Sequence, residues 1–447
     1  MRRTQIPLLL ATIIFIIALE TGGFAIFAAS GTETDRLITL ERVLDLALQR
    51  SYKIALANEH FNSAARALRD AKRRRLPRLS AQSWFSGDLF DIDRWGSRNL
   101  ASYLALDWDF YQNGAIMQLI AQSWANLASA ALTRRQTALD LIYNATALFY
   151  DALKAVRQVE IAKQQVAVEE MQLRIVRSEF EQGRRTQSEL GDAETRAFEL
   201  GLSLARAQQG LERAILKLQQ LTRDDTIKSV ARFPREITWT LDSPVEDAIR
   251  AGQERQPNVL IAEANLEMAR RGVKYAKLKR WPSVRFLTGT DFAFAPYADP
   301  EEVALRVGVI ASYPLYDAGD RKSRIEDAKS AKRRAEIQLW QAQDQMKQEV
   351  TDSYADVSNQ LELLRIAKKR NQKVKTDFAI AKERYQAGRI DEQEMARIRL
   401  QYLQSAQRIE DLCLDALLAR AKLLKSVGVS SLDEIRAYSK KGPEEKK

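Results

Sequence analysis

The sequence predicts a mainly α-helical fold with a small β portion, built from a duplicated unit. Glycine and proline together occupy only 28 of the 447 positions, which favours helices over loops. Two stretches of 68 residues, 115–182 and 320–387, contain neither residue. Between the helical stretches, short segments alternate apolar and polar residues with the period of two that is typical of β-strands.

Residues 1–30 are predicted to form a secretory signal peptide. Arg2 and Arg3 precede an apolar run over 7–19, and small residues follow at 28–30. Because the apolar character extends to residue 29, an uncleaved membrane anchor is the alternative. Nothing else in the chain is apolar enough to predict a transmembrane helix.

The duplication is visible when the chain is shifted against itself by 205 positions. Pro77 then falls on Pro282, Gly114 on Gly319 and Gly183 on Gly388, in one register and without a gap. We therefore predict a first repeat over 36–222, a linker over 223–240, a second repeat over 241–427 and a C-terminal tail over 428–447 that is disordered at its end.

The same order of elements is predicted in each repeat. A helix of about 35 residues ends at Pro77 or Pro282, because proline cannot donate the next helical hydrogen bond. Two strands follow, within about 78–111 and 283–316. The long helix comes next, with an apolar heptad pattern that requires partner helices. Gly183 and Gly388 then permit a left-handed turn into a returning helix, so each glycine marks the tip of a long helical hairpin.

The predicted strands are about 10 residues long, which suits a tilted strand that crosses a bilayer. A soluble sheet with one buried face would show the same alternation. Aromatic residues in or near the strands indicate a membrane-interface girdle or ordinary strand composition: Trp84, Trp95, Trp108, Tyr103, Tyr297, Tyr313 and Tyr316.

Four strands are too few to close a membrane barrel, which needs about eight. Open sheet edges in lipid would leave backbone amides unpaired. Strands that lie in a membrane must therefore be pooled among several identical chains, and three chains would supply 12 strands. A hollow barrel that continues into a bundle of long hairpins would form a conduit.

The composition weighs against an enzyme. The chain has one histidine, His60, and one cysteine, Cys413, which is too few for a metal cluster, a Ser–His–Asp triad or a Cys–His pair. We predict no catalytic residues, no metal site and no cofactor. The net charge of +11 suggests nucleic acid, but the basic residues are interleaved with acidic ones, so no nucleic-acid partner is expected.

Three phrases, in this order and within a duplicated chain, carry a family resemblance: ITLERVLDLALQRS, SYPLYDAGDRKSRIEDAKSA and RYQAGRIDEQEMARIR. The chain resembles the TolC-like outer-membrane efflux proteins over nearly its whole mature length. The resemblance implies a homotrimer whose 12-strand β-barrel lies in the outer membrane of a Gram-negative-type bacterium and contacts its lipid. It also implies an α-helical barrel in the periplasm, and passive exit of drugs or secreted proteins.

In this family a periplasmic adaptor protein and an inner-membrane pump dock at the hairpin tips. The resemblance assigns adaptor docking to Gly183, Arg184, Glu189, Leu190, Gly388, Arg389 and Met395. It assigns the periplasmic entrance to Tyr385, Arg389, Glu394 and Arg397. Arg stands after both tip glycines, where the family often has Leu, and Arg397 replaces a second acidic residue. An ordinary coiled-coil face is the alternative for Tyr385, Glu394 and Arg397.

A second function remains open at this point. A periplasmic coiled-coil scaffold or adaptor could use the same hairpins and bury the strands in a soluble domain. Adaptors usually carry one hairpin and a lipoyl-like β module, so two hairpins in register favour the channel.

Overall fold

A computed structural model of the chain describes residues 37–86, 99–231, 241, 243–294 and 304–430. The predicted signal peptide, residues 232–240 of the predicted linker and the tail from 431 onward lie outside the described residues. The same is true of Trp95 and Tyr297, and of the side chains of Trp84 and Tyr103.

The described elements follow one order in both halves of the chain. The first half contains β1 (Leu37–Ile38), α1 (Leu40–Arg50), α2 (Tyr52–Arg73), β2 (Arg78–Ser86), β3 (Asn99–Tyr111), α3 (Ala115–Glu181) and α4 (Gln187–Thr222). The second half contains β4 (Ser229–Val230), α5 (Val245–Arg255), α6 (Pro257–Leu278), β5 (Ser283–Phe294), β6 (Ala304–Ser312), α7 (Asp320–Gln386) and α8 (Glu392–Val427). Each helix of the second half begins and ends 205 residues after its counterpart in the first.

The prediction of a single helix of about 35 residues at the start of each repeat is wrong. The first such segment breaks at Ser51, whose extended backbone (ψ 127°) separates α1 from α2. The Ser51 hydroxyl accepts a hydrogen bond from the amide of Lys53 and so caps α2. The second segment breaks at Gln256, whose side chain accepts from the amide of Val259 at 3.0 Å. Pro257 then occupies the first turn of α6, where its missing amide costs nothing.

The helices form one connected layer. Near the sheet, α3 contacts α2 and α6, and α6 also contacts α7. Away from the sheet, α3 contacts α4 and α8, and α8 contacts α7. Fully buried side chains such as Phe149 of α3 and Val350 of α7 lie inside this layer. The burial of their apolar surface stabilises these helices, because helices in proteins gain most of their stability from tertiary packing rather than from propensity.

The two long helices each have 67 residues and end close to the glycines that the sequence predicts. Gly183 has φ +71° and Gly388 has φ +66°, in the left-handed region that glycine adopts without steric cost. The following amides, of Arg184 and Arg389, donate back to the carbonyls of Glu179 and Arg384, which closes the last turn of each helix.

Four strands form an antiparallel sheet in the order β2-β3-β5-β6. All helices that flank these strands lie at one end of the sheet, because β2 and β5 begin there and β3 and β6 end there. The short strands β1 and β4 pair in parallel and join the start of α1 to the chain after α4. In the part of the chain that is described, no helix combines the length and the apolar character that crossing a membrane requires.

One face of the sheet is apolar across all four strands. Cross-strand neighbours share a face in an antiparallel sheet, and the register pairs Leu79 with Leu106, Trp108 with Phe286, and Phe286 with Val309. This face is uncovered: Leu79 is 71% exposed and Val309 is 68% exposed. The opposite face is mixed: small or polar residues such as Ser80, Gly289 and Gly308 share it with Leu287 and Ile310.

Gly428 offers a test of how the end of α8 packs on the break between α5 and α6. Its φ is +83°, and an added Cβ would lie 2.4 Å from the carbonyl oxygen of Arg255. We expect Gly428→Ala to lower the free energy of unfolding by about 2 kcal/mol or more. The measurement is denaturant unfolding of the detergent-solubilised protein.

Gly201→Ala is the matched control, because Gly201 lies inside α4 and an added Cβ would meet no atom within 4 Å. Its helical backbone predicts a gain of about 1 kcal/mol. Equal unfolding free energies for Gly428→Ala and the parent protein would contradict the packing described.

Candidate functional site: the hairpin tips

The first hairpin tip is closed by a network of polar contacts. The Thr186 side chain accepts from the amide of Glu189, and the Glu189 carboxylate accepts from the amide of Thr186 at 2.8 Å, which is a capping box. Arg185 bridges the two helices of the hairpin, since it donates to Glu179 at 2.9 Å and to Glu189 at 2.8 Å. The turn is therefore held by side chains from both sides.

These contacts stabilise the charged form of Glu189. Hydrogen bonds from Thr186 and Arg185 lower the pKa of its carboxyl to about 2. A lowered pKa favours the folded tip above the ordinary carboxyl pKa, and that advantage is lost as the pH falls through about 2. Glu189 is thus a charged capping residue at neutral pH.

Leu190 lies in the interior of this hairpin. It is 8% exposed and packs with Val176 and Ala193, against Leu173 and Phe180. Its position fixes the spacing between α3 and α4 just above the turn. Arg184, by contrast, is exposed at the tip beside Gly183.

The second tip has the same backbone and fewer side-chain contacts. Asp391 caps α8 by accepting from the amide of Glu394 at 2.7 Å. Ile390 occupies the position equivalent to Arg185, so within the described hairpin 320–427 the bridge between the two helices has no counterpart. Met395, equivalent to Leu190, is half-buried.

The predicted entrance residues are all exposed to solvent in the single chain. Arg389, Glu394 and Arg397 have exposed side chains, and Tyr385 is 42% exposed. Glu394 and Arg397 lie three residues apart, on one face of α8. Among the described residues, no ion pair joins these two side chains.

Sequence reasoning missed the network of the first tip. Thr186 and Glu189 form a Thr-x-x-Glu pattern that indicates a capping box, and this signal was available in the sequence. The bridge from Arg185 to Glu179 had no such signal, because it joins residues on opposite sides of a turn whose geometry only the structure supplies.

The fold and the paired hairpins define a class of protein. Residues 248–429 match the family model described as outer membrane efflux protein. Protein CyaE of Bordetella pertussis is 24% identical over 273 residues, an alignment that covers 59% of this chain. The chain thus matches 56% of the length of that relative, a little over half.

Solved structures share the fold over most of their length. The Campylobacter jejuni CmeC outer membrane channel superposes with a TM-score of 0.72 at 18% identity and covers 90% of this chain and 89% of its own. The open state of the Neisseria gonorrhoeae MtrE outer membrane channel gives a TM-score of 0.71 at 16% identity, over 87% of this chain and 89% of its own. The outer membrane protein VceC of Vibrio cholerae gives 0.68 at 17% identity, over 88% of this chain and 96% of its own.

The resemblance to TolC-like outer-membrane efflux proteins is therefore confirmed. The predicted location, in an outer membrane with an extension into the periplasm, is confirmed by the same matches. The predicted fold class is confirmed as a mainly helical chain with a small sheet.

The contrast between the tips predicts a difference in protease sensitivity. Because Arg185 is bound by two carboxylates, we expect trypsin to cut after Arg185 more slowly than after the exposed Arg389 of the second tip. Substituting Glu179→Ala together with Glu189→Ala should speed cleavage after Arg185. Mass spectrometry of fragments over time measures both rates.

Glu392→Ala, on the second tip, is the control and should leave cleavage after Arg185 unchanged. If the double substitution has no effect on the first tip, the network does not restrain the turn.

Proposed function

We propose that this protein is the outer-membrane channel of a tripartite efflux or type I secretion system, a passive exit duct for drugs or secreted proteins. One observation carries the proposal: an uncovered apolar sheet face adjoins two helical hairpins of equal length. An apolar face more than half exposed at Leu79 and Val309 suits lipid, whereas water would disfavour it. A non-inserted periplasmic scaffold would have to bury this face, and in the part of the chain that is described Leu79 and Val309 are both exposed.

The edges of the sheet support a trimeric assembly. β2 and β6 each pair on one side only among the described strands, and an unpaired edge in hydrocarbon costs several kcal/mol per amide. Pairing β6 of one copy with β2 of the next satisfies both edges. Three copies give a 12-strand barrel, and their hairpins form a periplasmic α-helical barrel around the same axis. In this assembly the repeats 36–222 and 241–427 are the structural units, linked by 223–240.

We assign adaptor docking to the tips. Arg184 and Arg389 are exposed beside Gly183 and Gly388 and present the charged contacts. The remaining members of the predicted set act through the fold: Glu189 caps the first turn, and Leu190 sets the spacing of the helices behind it. Met395 is half-buried at the equivalent position of the second hairpin. The partners are thus a periplasmic adaptor protein and, through it, an inner-membrane pump.

We assign the periplasmic entrance to the second hairpin. Three copies of Glu394 around the axis attract cations, and Arg397 on the same helical face offsets part of that attraction. Tyr385 precedes the turn at Gly388 and Arg389 follows it, so both lie at the tip of the second hairpin. The entrance is therefore of mixed charge.

Conductance in planar lipid tests the function and the entrance together. The protein should form pores that divalent cations block weakly. Arg397→Asp should strengthen this block by about tenfold, because it replaces a repelling charge by an attracting one in three copies. Glu394→Ala should make the block by divalent cations weaker than in the parent protein.

Strong block that Glu394→Ala abolishes and Arg397→Asp leaves unchanged would contradict the assignment of Arg397. A monomeric, detergent-independent protein that forms no pore would instead support the periplasmic scaffold.

Crosslinking tests the docking assignment. Cys413 is 5% exposed, so a cysteine engineered at an exposed tip position is the accessible thiol among the described residues. Arg184→Cys or Arg389→Cys should capture a periplasmic protein with a thiol-to-amine crosslinker in intact cells. Lys369→Cys, on an exposed part of α7 remote from the tip, is the control. Equal capture from all three positions would contradict tip docking.

A further inference from the structure

Two strongly basic segments lie where helices meet the sheet. Residues 69–78 and 274–283 together carry ten basic side chains and one acidic one, in a chain whose net charge is +11. The two segments are equivalent in the duplication: Lys72, Arg74 and Arg75 correspond to Lys277, Lys279 and Arg280. We call them the junction segments.

Both junction segments lie at the same end of the sheet. α2 ends at Arg73 just before β2, and α6 ends at Leu278 just before β5. One or two cations at a helix C-terminus would be explained by attraction to the helix dipole. The number of cations here is larger than that effect requires.

Most of this positive charge is not neutralised within the chain. Arg73 pairs with Asp70 at 3.6 Å. Lys72 and Lys279 lie over aromatic rings, and Arg75 contacts the sulfur of Met117. Across the described residues, no carboxylate lies within ion-pair distance of Arg74, Arg75, Lys279 or Arg280. Crowded like charges repel one another, so an anion from outside the chain would be stabilised here.

Exposed apolar side chains accompany the cations. Leu76 is 61% exposed and Trp281 is 66% exposed, at equivalent positions directly after the basic run. An open cavity of about 400 Å³ lies at the first junction, lined by Asp70, Arg73, Arg74, Leu76, Pro77 and Arg78. The uncovered apolar face of the sheet begins at Leu79, one residue further on.

We propose that the junction segments bind the phosphate groups of anionic phospholipids in the leaflet that faces the helices. This inference rests on the proposed function, because it requires the sheet to lie in a membrane. Guanidinium groups bind phosphate through paired hydrogen bonds, and tryptophan favours the level of the head groups. Free phosphate would make no use of Leu76 and Trp281, whereas a lipid places its glycerol and acyl chains beside them.

Spin-label electron paramagnetic resonance measures the preference directly. The full-length protein is reconstituted in phosphatidylcholine bilayers, and the motionally restricted fractions of spin-labelled phosphatidylglycerol and phosphatidylcholine are compared. We expect about a fivefold preference for phosphatidylglycerol. The variant Arg74→Gln/Arg75→Gln/Lys279→Gln/Arg280→Gln should reduce the preference to near one.

The matched control removes the same charge elsewhere. Lys368→Gln/Lys369→Gln/Arg370→Gln/Lys373→Gln changes four exposed residues of α7, the first of them roughly 70 Å along the helix from Asp320. This variant should keep the full preference. Because the control carries the same net charge as the junction variant, a loss in both would assign the effect to overall charge and overturn the inference.

Pore conductance in pure phosphatidylcholine separates the two proposals. The lipid site alone is overturned if the protein conducts but the motionally restricted fractions of the two spin-labelled lipids are equal. This holds with or without measurable binding of inorganic phosphate. A protein that does not insert overturns the proposed function and this inference with it. Retained conductance in the junction variant, with lost lipid preference, supports both.

Discussion

Backbone amides must be hydrogen-bonded wherever water is excluded, and this constraint organises the proposed assembly. Among the described residues, one chain contributes four strands to the larger sheet, and the outer edges of β2 and β6 are unpaired there. One copy therefore cannot satisfy its own backbone in lipid. In the proposed assembly, neighbouring copies would complete the hydrogen bonding, and the sheet would acquire an inside and an outside only in that arrangement.

The helical part follows from a different constraint, which is the burial of apolar side chains along very long helices. α3 is central, because it contacts helices of both hairpins. Residues such as Phe149 and Val350 stabilise this layer. Two ion pairs also fix how α3 and α8 align: Arg157 of α3 binds Glu410 of α8 at 3.0 Å, and Lys154 of α3 binds Asp415 of α8. The hairpins are thereby fixed side by side.

Much of this fold could be predicted from the sequence, for identifiable reasons. Long stretches without glycine or proline give long helices, and isolated glycines give tips, because both effects are local. The break at Ser51 was missed because serine is only mildly unfavourable within a helix and acts as a cap only when the chain turns. The bridge from Arg185 to Glu179 was missed because it depends on how two helices approach each other. The entrance residues are assigned by resemblance alone, and their relation to an axis depends on how copies of the chain assemble.

The equal spans of α3 and α7, and of α4 and α8, restrict how such a chain can change in length. One added heptad in α3 requires one in α4, or the hairpin loses its alignment, and the pair would lower one tip by about 10 Å. The other tip would keep its position, so the two tips would no longer end at the same distance from the sheet. Insertions or deletions in such a chain should therefore occur in all four helices together, as matched whole heptads.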